Sequence, residues 1–151
     1  MLWFRIDNRL IHGQVIETWL PYTQAGHLLV ANDGVAQDSL QQSIMSMAVP
    51  SRIKLQFVSL GKLAAAIDEQ AGHYTLVLFA NCCDARRAYE MGTAFKAINV
   101  GNLHYGPGKR QICTHAAVSA EDADCLKFFK EQGVKLDFRC VPNDNPHVEE
   151  F

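Results

Sequence analysis

Leu2-Trp3-Phe4-Arg5-Ile6-Asp7-Asn8-Arg9-Leu10-Ile11-His12-Gly13-Gln14 is the stretch from which the rest of the chain is read. Residues 2–6 form a short apolar run of strand type, residues 7–12 a charged loop, and a helical pattern starts at Gly13. The run and its loop hold two arginines, one acid and one histidine in a span of eight residues. Such an arrangement suits a histidine that accepts a phosphoryl group. The imidazole is the nucleophile, the arginines neutralise the phosphate, and free N–H groups at the helix start bind its oxygens.

Further along, apolar runs alternate with amphipathic ones. Strand patterns fall at residues 2–6, 27–31, 54–58, 75–80, 94–100, 111–117 and 135–141. Helical patterns fall between them at 13–20, 37–49, 60–70, 84–91 and 120–132. The strand runs are short, continuous and rich in Val, Ile, Leu and Phe, as in a sheet covered on both faces. Alternation of this kind predicts an α/β fold: a single domain over residues 1–151, an open, mostly parallel sheet with helices on both faces. Pro50 and Gly133 stop helices, and Ser119 with Asp122 reads as a capping box.

At 151 residues the chain is long enough for one domain with a substantial core. Its formal charge of −2 gives no reason to expect nucleic acid as a partner. No apolar run approaches membrane-spanning length, and no signal peptide is expected ahead of the first strand. The five cysteines (Cys82, Cys83, Cys113, Cys125 and Cys140) are odd in number and lack metal-site spacing. They read as free thiols in a reducing cytoplasm, with no structural disulfide framework or zinc site expected.

Open parallel sheets bind ligands beyond the carboxyl ends of their strands. Those ends are polar here: Asp7 to His12 after the first strand, Asn32 and Asp33 after the second, Ser59 after the third, Asn81 after the fourth, and Asn99 and Gly101 at the fifth. Asn32, Asp33, Asn81, Asn99 and Gly101 are therefore expected on the site rim, although Asn and Asp also favour turns and helix starts. His12 is the expected nucleophile, with Arg9 and Asp7 beside it in catalytic roles. Arg9 is placed for bidentate phosphate contact. Asp7 either orients the ring or holds an arginine. Arg5 either joins the phosphate site or pairs with Asp7. Gly13, Gln14 and Val15 offer first-turn N–H donors, and Gly13 permits close approach. His27, His73, His115 and His147 read as structural or exposed. Gly106-Pro107-Gly108-Lys109 lacks the spacing of a nucleotide-binding loop, and Cys82-Cys83 at a strand end is a second-rank candidate for a reactive thiol.

Arg5-x-Asp7-x-Arg9-Leu10-Ile11-His12-Gly13-Gln14 resembles the signature of the IIB component of the bacterial phosphotransferase system, mannose/fructose/sorbose family. Asn32-Asp33, Leu78-Phe79-Ala80-Asn81 and Ile98-Asn99-Val100-Gly101 fall where that family has similar segments. The resemblance implies a cytoplasmic phosphocarrier at the inner face of the membrane, a protein-phosphohistidine–sugar phosphotransferase. It would take phosphate from a IIA phosphohistidine onto His12 at Nδ1. It would then pass the group to a sugar held by a membrane IIC/IID permease. The resemblance implies no metal and no organic cofactor, and homodimers occur in the family. The alternative is a regulatory phosphoprotein with the same His12 chemistry, whose phosphorylation controls a partner. The family commonly has glycine and methionine after Gly101, whereas this chain has Asn102-Leu103-His104-Tyr105.

Overall fold

A computed structural model describes residues 1–151. In chain order, β1 (Leu2–Ile6) leads to a π-helical turn (Val15–Trp19) that runs directly into α1 (Leu20–Thr23). Next come β2 (His27–Ala31), α2 (Asp33–Ala36), α3 (Ser39–Ser46) and β3 (Lys54–Val58). A 3₁₀ turn (Leu60–Lys62) introduces α4 (Leu63–Glu69), which is followed by β4 (Thr75–Phe79), α5 (Cys82–Glu90) and β5 (Ala97–Val100). The last elements are β6 (Arg110–Cys113), β7 (Ala116–Val118), α6 (Ala120–Glu131) and β8 (Lys135–Asp137). No helix is long and apolar enough to cross a membrane.

Six strands form one parallel sheet in the order β3-β2-β4-β1-β5-β8. Every residue of β2 and β4 is buried, because the period of two sends alternate side chains into two cores. Leu28, Val30, Leu76 and Leu78 face Val15, Trp19, Leu20 and Val35 on one side. Leu29, Ala31, Val77 and Phe79 face Leu63, Ala85, Leu126 and Phe129 on the other. The helices thus lie on both faces. From β1 the chain turns towards β2, and from β5 it turns towards β8 on the opposite side. The carboxyl ends of neighbouring β1 and β5 therefore border a topological switch point, where such sheets open a crevice.

Several elements differ from their sequence patterns. Residues 111–117 do not form one strand. Thr114 and His115 make a turn, and β6 and β7 pair antiparallel in a separate hairpin with a register shift between Gln111 and Cys113. β8 ends at Asp137 rather than residue 141. There Asn99 Nδ2 donates to the carbonyls of Asp137 (3.1 Å) and Arg139 (2.9 Å), and the Arg139 guanidinium pairs with Asp137. β5 starts at Ala97, three residues after the start of its apolar run. The pattern over 37–49 shortens to α3 (Ser39–Ser46), which Asp38 caps by accepting from Gln41 N–H, and the preceding α2 had no pattern of its own. The Ser119–Asp122 capping box is present in full.

His27 is buried at the amino end of the sheet, with Nε2 at 3.2 Å from Gln56 Oε1 and Nδ1 at 3.3 Å from Thr75 Oγ1. Burial, only partly offset by the Gln56 contact, pulls its pKa below the usual histidine range, and burial acts on His115 in the same direction. A folded-state pKa below the unfolded value means the unfolded chain binds protons first. Stability is therefore full above about pH 6.5 and is lost as pH falls through the lowered values. Thermal melts are expected to show a falling midpoint between pH 7 and pH 5. A flat midpoint would mean that neither imidazole is held neutral.

Candidate functional site

The loop after β1 is tied to both neighbouring strand ends. Asp7 N–H bonds to Phe79 C=O (2.8 Å) at the end of β4, Asn8 N–H to Asn102 C=O (2.9 Å) beyond β5, and Gly101 N–H to Ile6 C=O (2.8 Å). A turn then closes, with Leu10 N–H on Asp7 C=O at 2.9 Å. Leu10 sits in the left-handed region at φ 57°, a conformation that costs a leucine about 1–2 kcal/mol. Its side chain is buried in the α1-side core, which holds it there and offsets that strain.

The turn places His12 over Asp7. Nε2 of His12 lies 2.9 Å from Asp7 Oδ2, and the ring is largely covered. An ionised carboxylate accepts only, so this contact puts the ring proton on Nε2 and leaves the lone pair on Nδ1. Asp7 itself is fully buried. Burial disfavours its charge, yet the Arg5 guanidinium and hydrogen bonds from His12, Asn102 and the Arg9 N–H hold its carboxyl below the usual carboxylate range.

Arg5 is fully buried beneath the pair, on the α1 side of the sheet. It donates from Nη2 (2.9 Å) and Nε (3.3 Å) to Asp7 Oδ2, from Nη2 to Gln14 Oε1 (2.9 Å), and from Nη1 to Asn99 Oδ1 (2.5 Å). The Trp19 ring lies 5.1 Å from its guanidinium carbon. Each guanidinium nitrogen thus has a partner within the chain, so Arg5 holds Asp7 and is not free for phosphate. A buried cation is tolerable only with such pairing. The guanidinium leaves no room over β5: a Cβ added to Gly101 would meet its Cζ at 2.3 Å.

Arg9 differs. It is exposed, its backbone N–H bonds to Asp7 Oδ1 (3.1 Å), and its guanidinium has no hydrogen bond or ion pair within the chain. The helix begins at Gly13, and its first bond runs from Ile16 N–H to His12 C=O. The N–H groups of Gly13, Gln14 and Val15 precede that bond, as at any helix start. The following π turn carries Leu20 N–H to Val15 C=O.

Of the expected rim residues, Asn99 and Gly101 join this cluster. Asn32 and Asn81 lie at the other strand ends as N-caps of α2 and α5, accepting from Val35 N–H and Asp84 N–H. Asp33 accepts from Leu60 N–H (2.9 Å) and meets Arg87 at 3.4 Å. Trp19 and Leu20 are core residues, whereas Tyr22 is exposed. All five cysteines are free, and burial pushes the Cys82 and Cys83 thiols up, away from reactivity. Three contributors had no sequence signal as site residues. Cys140 Sγ accepts from Gln14 Nε2 (3.3 Å), Asn102 Nδ2 reaches Asp7 Oδ2 (2.9 Å), and Arg139 lies 5.5 Å from the Trp19 ring on its own account. Only Asn102 stood in a loop marked as unusual.

Fold and site together define an open parallel α/β protein with a histidine–aspartate–arginine stack at its switch point. The family model "PTS system sorbose subfamily IIB component" matches residues 1–150. The chain is 37% identical over 148 residues to N-acetylgalactosamine-specific phosphotransferase enzyme IIB component 2 of Escherichia coli K12, covering 97% of this chain and 94% of that one. It is 30% identical over 142 residues to the mannose-specific EIIAB component of E. coli K12, covering 93% of this chain but 44% of that protein. The crystal structure of the IIB domain of the sorbose permease of Klebsiella pneumoniae superposes with a TM-score of 0.89 at 30% identity, covering 97% and 91% of the two chains. The chain belongs to the sorbose-subfamily IIB components of the phosphotransferase system, the sugar phosphotransferases of the mannose/fructose/sorbose type.

Proposed function

We propose that residues 1–151 act as a single phosphocarrier unit in which His12 relays a phosphoryl group from a IIA phosphohistidine to a sugar. The observation that carries this reading is the 2.9 Å contact between His12 Nε2 and Asp7 Oδ2, which leaves Nδ1 as the nucleophilic nitrogen. Nδ1 attacks phosphorus, the N–P bond to the donor histidine breaks, and the His12 proton stays on Nε2. Asp7 balances the positive charge that the ring acquires. Arg9 and the N–H groups of Gly13, Gln14 and Val15 bind the phosphoryl oxygens, since a loose transition state needs positioning and positive charge above all. In the second transfer a sugar hydroxyl attacks phosphorus and the N–P bond to His12 breaks. The donor is a IIA domain or protein, in keeping with the joined A and B parts in the name of the mannose relative. The acceptor sugar is held by a IIC/IID permease, with the carrier working at the cytoplasmic membrane face.

The test is incubation with phosphoenolpyruvate, the general phosphotransferase proteins and an active IIA, followed by intact-mass analysis. One acid-labile phosphate on His12, absent from His12→Ala, is the expected result. No uptake from a verified IIA would sink the relay. Arg9→Lys keeps the charge but loses the fork, and uptake is expected to slow by about tenfold. Uptake at the wild-type rate would remove Arg9 from the phosphate site.

A further inference from the structure

A single oxygen at the site has more donors than it can serve. A carboxylate offers about four lone-pair positions over its two oxygens, about two on each. Asp7 Oδ2 receives Arg5 Nη2 at 2.9 Å, Arg5 Nε at 3.3 Å, His12 Nε2 at 2.9 Å and Asn102 Nδ2 at 2.9 Å. Oδ1 has only the Arg9 N–H, at 3.1 Å. Donors crowded on one oxygen share its charge, and each bond weakens the others.

Asn102 is the removable member of this set. Arg5 is locked in the core and His12 is the reacting group. The Asn102 amide has a fixed orientation: Nδ2 also donates to Gln14 Oε1 (2.9 Å), and Oδ1 faces the Cys140 thiol at 3.8 Å. Gln14 is oriented in turn, accepting from Arg5 and donating to Cys140. The network is therefore built around the Asn102 side chain, in the loop that follows β5.

We propose that Asn102 is a positioning residue that tunes how readily His12 gives up its phosphoryl group, by drawing charge from Asp7 Oδ2 and so limiting the strength of the His12–Asp7 hydrogen bond. This rests on the phosphocarrier reading. In phospho-His12 the ring is protonated at Nε2 and carries positive charge. A stronger bond to Asp7 stabilises that ring and makes the imidazole a poorer leaving group. Asn102 keeps the bond weaker and the group transferable. When the group leaves, the N–P bond breaks with its electron pair returning to Nδ1, and the Nε2 proton stays in place.

The test removes the amide and reads His12 directly. Wild type, Asn102→Ala and Asn102→Ser are phosphorylated with phosphoramidate, so that no IIA is required. The half-life of the phosphoryl group is followed at neutral pH, and the Nε2–H proton resonance of His12 is recorded before and after. The backbone bond from Asn8 N–H to Asn102 C=O is available to both variants. Both are expected to lengthen the half-life, Asn102→Ala by about fivefold, and to move the Nε2–H resonance downfield. A half-life within twofold of wild type, a shorter one, or a longer one with the resonance unmoved would each overturn the role of Asn102. If wild type takes no phosphate on His12, the phosphocarrier reading fails instead, and the resonance in unmodified protein still decides whether Asn102 competes for Asp7.

Discussion

Asp7→Asn is expected to cripple phosphoryl uptake and to destabilise the fold together. The carboxylate is the acceptor for His12 Nε2–H and the carboxylate in direct ion-pair contact with the buried Arg5 guanidinium. An asparagine can present its NH₂ group to the ring, which favours the Nδ1–H tautomer and removes the nucleophilic lone pair. Loss of an acid that sets a histidine tautomer lowers rates by about 10²–10⁴-fold. Removing one partner of a buried ion pair also leaves the other uncompensated, at a cost of about 3–5 kcal/mol. For a chain of this size that corresponds to a midpoint about 10 °C lower. Phosphorylation kinetics and thermal melts check the two halves independently. A variant that melts early but accepts phosphate at the wild-type rate would limit Asp7 to holding Arg5.

Gly101→Ala is the second large effect, and it arises from space. The added Cβ would lie 2.3 Å from Arg5 Cζ, 2.4 Å from Nη2 and 2.8 Å from Nε. A flexible side chain gives way at little cost, but this guanidinium is held by Asp7, Gln14 and Asn99. Relieving the clash means breaking at least one of those bonds. The expected loss is about 3 kcal/mol or more, from overpacking plus a disturbed buried charge. Gly13→Ala is the control, because a Cβ there meets nothing within 4 Å. Equal melting midpoints for the two variants would mean that Arg5 moves freely.

That contrast shows what the sequence could convey. Gly13 drew notice because it follows the histidine, and local spacing is visible in a single chain. The need for Gly101 comes from a side chain on another strand, and no local pattern records it. The parallel sheet was legible because its central strands are largely apolar runs between helix signals. The β6–β7 hairpin was not, since two short strands joined by Thr114-His115 read as one apolar run. Asp7, Arg9 and His12 stood out because they share one loop. Asn102 and Cys140 reach the same network from beyond β5 and β8, so their contacts exist only after the sheet has assembled. Asn32 and Asn81 carried an ambiguous sign, since the residue types that line sites also cap helices, and in the structure they cap.

The π turn at Val15–Trp19 reconciles two demands on one short helix. Residues five apart in an α-helix point about 140° away from each other, at about 100° per residue. A turn closed five residues apart brings them back towards one face. Gln14 and Trp19 are five apart, and both touch Arg5, one through its amide oxygen and the other through its ring. The extra residue thus works as a phase shifter between a reactive front end, which must meet Arg5 and Asn102, and a rear end, which must fill the core. Insertion or deletion inside this turn would leave composition and hydrophobicity almost untouched while turning one end out of step with the other. Length, more than residue identity, is what this segment has to keep.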